Sequence, residues 1–245
     1  MNSHISHLFA SICFAGLAAV GTVACGDDDP GTLAVAAYGE AFIEEGIPSS
    51  EMGDGWSIQF EHFNIAFEDV VVAGAALSVP SSIDLTRPSS GAGQTLGTAT
   101  IAEGEYTGAR FTVSRVEARG TATKGADTKS FDWVFDQPTR YSDCDARTKV
   151  GAGAQATLQV TIHADHLFYD SLVSSTPQLL FQPLADADQN DDGNVTEEEL
   201  AAQDIGNYDP GSEDGIDDLW TWLNALASTL GHVDGEGHCH ATVVR

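Results

Sequence analysis

The sequence predicts a mainly β protein, an antiparallel β-sandwich interrupted late in the chain by an inserted α-helical segment. Two patterns carry this expectation. Between residues 32 and 163, apolar side chains recur at every second position in short runs separated by Gly, Pro and Ser, as strands with one buried face require. From about 176 to 231 the period lengthens to that of a helix, and a last apolar run returns at 242–244. With 245 residues and 42% apolar composition, the chain is large enough to bury a real core.

A first strand is expected at 32–38, followed by a loop rich in Gly, Pro and Glu over 39–55. Trp56, Ile58 and Phe60 alternate with polar residues, and Phe63, Ile65 and Phe67 resume the alternation in the opposite phase. A bulge or a bend therefore falls near Glu61 and His62. Short strands follow at 70–72, 76–79 and 82–85, a turn at 88–93, and further strands at 94–101, 109–118, 131–135 and 156–163. Phe131, Trp133 and Phe135 share one face. Ile216, Leu219, Trp220, Leu223, Leu226 and Leu230 mark one face of a helix that starts near Asp214 and ends at Gly231. The helical stretch is thus an insertion between the last two strands of a domain spanning 32–245.

Within that insertion, residues 188–199 read DQNDDGNVTEEE. Oxygen donors fall at Asp188, Asn190, Asp192, the backbone carbonyl of Asn194, Thr196 and Glu199, with Gly193 where the chain must turn sharply. Val195 is placed to turn inward. The stretch resembles an EF-hand loop at every ligand position, which implies Ca2+ held by those six residues, with modest affinity for a single unpaired hand. Thr196 and Glu199 have capping-box spacing for an outgoing helix that continues to Ile205. Thr176 and Pro177 start an incoming helix that Pro183 kinks or shortens. The competing reading is an acidic surface loop that binds nothing.

Lys plus Arg number 10 against 37 Asp plus Glu, a formal charge of −27, which argues against nucleic acid as a partner. The first 24 residues carry no Asp, Glu, Lys or Arg, and 8–20 is apolar apart from Ser11, as in a leader. Small residues precede Cys25, and an acidic tether over 25–31 follows. The arrangement resembles a bacterial lipoprotein signal, which implies a lipid on Cys25 and a membrane-anchored protein of the cell envelope. An ordinary secretory signal cut near Ala24 is the alternative, and both export the domain. Residues 101–116, IAEGEYTGARFTVSRV, are similar to a turn and strand of exported bacterial sandwich lipoproteins, a likeness that implies fold and location and no activity. Cys13 leaves with the leader, so Cys144 and Cys239 remain to form one disulfide in an oxidising compartment.

Five of the six histidines outside the leader fall in two clusters, His163 with His166, and His232 with His238 and His240. If the last strand pairs beside 156–163, the clusters meet at one end of the sandwich and offer borderline ligands for copper or zinc. Their competing reading is a set of hydrogen-bonded or exposed side chains. Thr161, His163, Asp165 and His166 partly match the HxHxDH of metallo-β-lactamases, but Thr161 stands at the first ligand position, and the alternating α/β pattern of that family is missing. No nucleophile motif or phosphate-cradling loop is present, so the expectation is a non-enzymatic, calcium-binding exported lipoprotein, with a copper or zinc binder as the alternative.

Overall fold

The computed structural model describes residues 29–244. The leader, Cys25 and most of the acidic tether lie outside these residues. In chain order come β1 (Gly31–Tyr38), α1 (Glu40–Glu44), β2 (Ser57–Val72), the short β3 (Ala75–Ala76) and β4 (Ile83–Asp84), β5 (Gln94–Ile101) and β6 (Gly104–Thr107). Next are β7 (Ala109–Lys124), β8 (Asp127–Phe135), β9 (Thr139–Ser142), β10 (Arg147–Val150) and β11 (Gln155–Ile162). A 3-10 turn (Ala164–Phe168), α2 (Gln182–Ala185), β12 (Asn194–Val195), α3 (Glu197–Ala201) and α4 (Leu219–Ala227) lead to β13 (Gly231–Val233) and β14 (His240–Val243).

One sheet has the order β13-β11-β1-β5. The larger one is built on β12-β8-β7-β2-β3, with β4 on β2, β9 on β7 and β14 on β9, and β10 pairs with β6 in a separate ribbon. Both sheets are mixed, which corrects the expectation of purely antiparallel pairing: β1 runs parallel to β11, and β12 parallel to β8. Alternation reports which face is buried and says nothing about the direction of the partner. Parallel neighbours need only a long connection, and here one exists between each pair.

The expected phase change in β2 is a bulge within one continuous strand, between Phe60 and His62, so that Phe60, Phe63, Ile65 and Phe67 are all buried. Leu33, Val35 and Ala37 of the small sheet join them in a single hydrophobic cluster. No helix among the described residues is long and apolar enough to cross a membrane.

The insertion leaves the small sheet after β11 and returns to it at β13. The incoming helix expected from Thr176 does not form. α2 begins only at Gln182 with Pro183 in its first turn, where the missing N–H costs nothing. Its N-terminus is capped from a distance, because Asp54 Oδ2 accepts from the backbone N–H groups of Phe181 and Gln182, both at 2.6 Å. The Thr196–Glu199 capping box is formed, and α3 ends at Ala201, short of Ile205. α4 starts at Leu219 because Asp218 and Thr221 make the cap there, so Asp214 and Ile216 precede it. Gly231 is the first residue of a strand, not a helix end.

Phe181 is fully buried against Trp56, Phe131, Trp133 and Phe168, with ring centroids 5.1 to 6.5 Å away. Phe181→Ala is expected to lower stability by about 3–5 kcal/mol in denaturant titration, since it leaves a cavity between the insertion and the large sheet. Cys144 and Cys239 form the expected disulfide across a sequence separation of 95, and Asp145 N–H donates to the His238 carbonyl beside it at 2.9 Å. Replacing both cysteines by Ser should cost about 2–5 kcal/mol in the same titration, with the sheets retained by circular dichroism.

Candidate metal centres

His163 follows the last residue of β11, and its backbone N–H donates to the Leu230 carbonyl at 3.0 Å. β13 then runs antiparallel to β11 with Thr161 opposite His232, and the His163 and His232 rings stand 4.5 Å apart. The 3-10 turn brings His166 back to 5.3 Å from both. A tight turn with Asp234 and Gly235 at positive φ, closed by the Val233 and Gly237 bridge, carries Glu236 to the same place. Among the described residues, two groups of three side chains bring metal-ligating atoms within 4.8 Å of one another, and both contain His163. One is His163, His232 and Glu236; the other is His163, Asp165 and His166.

The clusters meet, but not by the expected route. The last strand, β14, pairs with β9, and it is β13, unforeseen in the periodicity, that lies beside β11. Three residues are too few to show a period. His240 sits on exposed β14 outside either group, and exposed His238 stands at the margin, 5.6 Å from His232. Glu236, Asp165 and Glu40 are the acids that sequence reasoning missed as partners. Of these, only Asp165 had a signal, its position between two histidines.

Hydrogen bonding sets the tautomer of one histidine of the cluster. The Thr229 hydroxyl donates to the Leu226 carbonyl at 2.8 Å, so it accepts from His166 Nδ1–H at 2.9 Å and leaves the lone pair on Nε2. His163 Nε2 lies 3.3 Å from the Gly235 carbonyl, and its Nδ1 lies 3.6 Å from Glu40 Oε2. His232, only 8% exposed, has a buried Nδ1 without a hydrogen-bond partner. Burial, with His163 close by, pushes both His166 and His232 down to about 4, so each is a neutral imidazole near neutral pH, the form a metal takes. Burial raises Asp165, whose Oδ2 accepts from the Tyr169 hydroxyl at 3.1 Å. A cavity of 650 Å³ lined by His166, Tyr169, His232, Glu236 and His238 opens onto the cluster.

The acidic loop is folded as a turn on the edge of the large sheet. Gly193 has φ +80°. Asp188 accepts from the N–H groups of Asp192 and Gly193 at 3.2 and 2.9 Å. Asn190 and Asp192 accept from the N–H groups of Asp192 and Asn194, both at 2.8 Å. Val195 is buried, its carbonyl accepts from Trp133 Nε1 at 2.9 Å, and the short β12 pairs with β8. Glu199 Oε2 accepts from Thr196 N–H and Oγ1 at 3.0 and 2.8 Å, while Oε1 is buried with no partner. The loop carboxylates belong to neither converging group. Lys129 of β8, which sequence reasoning did not connect to the loop, places Nζ 2.5 Å from Asp188 Oδ2. The ammonium holds Asp188 below the usual carboxylate range, and Asp188 raises Lys129 in turn.

Compared with protein-family models, with curated proteins and with solved structures, the chain finds no match.

Proposed function

We propose that this chain is an exported metal-binding module on a β-sandwich scaffold, with a borderline divalent cation such as zinc or copper held by His163, His232 and Glu236, and His166 beside them. The observation that carries the reading is the convergence of ligating atoms of His163, His232 and Glu236 within 4.8 Å of one another, beside a buried His232 Nδ1 that has no hydrogen-bond partner. Imidazole with carboxylate is a donor set suited to zinc and copper. The cavity beside them leaves one face of a bound ion open to a further small ligand. The leader-like start, the lipoprotein-like Cys25 and the disulfide support a place in the cell envelope.

A second reading, calcium in the loop of Asp188, Asn190, Asp192, Asn194, Thr196 and Glu199, is favoured by the partnerless, buried Glu199 Oε1. A carboxylate oxygen in that condition is short of a cation or a donor. Calcium here is a brace that holds the insertion against β8.

The protein secreted from residue 26 onward, without a histidine tag or chelator, is expected to retain about one zinc or copper per chain through dialysis. His232→Ala should abolish that retention, whereas His240→Ala should leave it intact; equal retention in the two variants would overturn the histidine site. Calcium is expected to raise the melting temperature, and Glu199→Ala to remove the rise. A melting temperature indifferent to calcium would sink the second reading.

A further inference from the structure

Lys129 stands apart from the other cations of the chain. It sits on β8 in the same parity as Phe131, Trp133 and Phe135, so its side chain leaves the strand on the face that covers the insertion. Its side chain is 20% exposed, and the Asp188 side chain that it meets is 0% exposed. Arg115, Arg119, Arg140 and Arg147 also meet carboxylates, as 10 basic against 37 acidic residues lead one to expect, but those carboxylates are exposed, whereas that of Asp188 is enclosed. The other lysine of the region is engaged elsewhere, with Lys124 Nζ donating to Gln182 Oε1 at 2.9 Å.

We infer that Lys129 is a tethered cation in the calcium loop, so that calcium binds there by exchange with its ammonium. The inference rests on the calcium reading and deepens it. A divalent ion bound by Asp188 and a lysine ammonium on the same carboxylate repel each other at contact distance, so one must leave for the other to enter. The turn is already formed with the ammonium in place, since Gly193 is at positive φ and the N–H groups of Asp192 and Gly193 point at Asp188. Calcium therefore has little backbone to order, and its affinity is set by the displacement of Lys129. A neighbouring groove of 460 Å³, lined by Asp127, Asp186 and Asp191 as well as Lys129, offers the displaced ammonium other carboxylates. The insertion thereby stays docked on β8 when calcium is scarce, and exchanges one cation for another when it is abundant.

The test is a calcium titration of the intact protein, by calorimetry and by thermal melting, with wild type, Lys129→Met and Lys129→Arg. Lys129→Met keeps the apolar stem and removes the charge; it should bind calcium about tenfold tighter or more, as expected for one unit charge removed at contact beside an enclosed carboxylate. It should also melt lower than wild type in chelator and recover in calcium. Lys129→Arg should stay close to wild type in both. If Lys129→Met does not fold in chelator, Lys129→Gln, which keeps a neutral donor to Asp188, takes its place with the same expected order of affinities. Equal affinity in wild type and the neutral variants would overturn the exchange while leaving the calcium reading standing. No calcium binding by any of them would overturn both.

Discussion

Three residue pairs between β11 and β13 close the excursion that leaves the small sheet after Ile162 and re-enters it at Gly231. The rest of the arrangement depends on that closure. It sets His232 against His163, aims the following turn so that Glu236 arrives beside them, and holds the 3-10 turn with His166 underneath. Only glycine fits where β13 begins, because a Cβ on Gly231 would lie 2.7 Å from the ring of Tyr141 on β9. The same ring is fully buried, stacks on Phe111 at 4.9 Å and donates its hydroxyl to the Ser228 carbonyl at 2.9 Å. A side chain of the large sheet thus fixes the point at which the insertion returns to the small one.

The insertion contains little regular structure of its own, and its short helices have too few turns to be stable alone. Its order comes from what it leans on. Asp54 caps α2 from the loop after α1, the aromatic group around Phe181 packs it onto β8 and onto Trp56 just before β2, and β12 adds two residues to the edge of β8. Trp220 stacks on Phe135 at 5.1 Å and Trp222 on Tyr208 at the same distance, which seats α4. Lys129 and Asp188 add a charge pair at the edge of that contact. The histidine cluster lies at the two stems of the insertion and the acidic loop in its middle, so one segment carries both candidate centres.

Local pattern was a good guide to the strands and a partial one to the helices. The alternation of 94–101 coincides with β5 from Gln94 to Ile101, and the phase slip near Glu61 marked the bulge in β2. Asp214 misled because acidic residues are common before a helix, whereas Asp218 has the Thr221 partner that completes a cap. The incoming helix at Thr176 failed because Pro183 suits only a first turn, and the apolar residues before it reach the core as extended chain. The disulfide followed from counting cysteines, and the sharp turn at Gly193 from the glycine within the acidic run.

The strand-rich composition, the late insertion, the Thr196–Glu199 cap, the cysteine pair and three of the five histidines expected to gather were legible in the sequence. These depend on period, capping and spacing, which act between residues close in the chain. Long-range packing selected β13 and not β14 as the neighbour of β11, made the sheets mixed, brought Glu236 to His163 and His232, and set Lys129 on Asp188. Those outcomes come from backbone pairing and apolar burial between segments remote in sequence. A strand carries on its own residues the face that it buries, while its neighbour, and the charges that neighbour delivers, are chosen by the whole core.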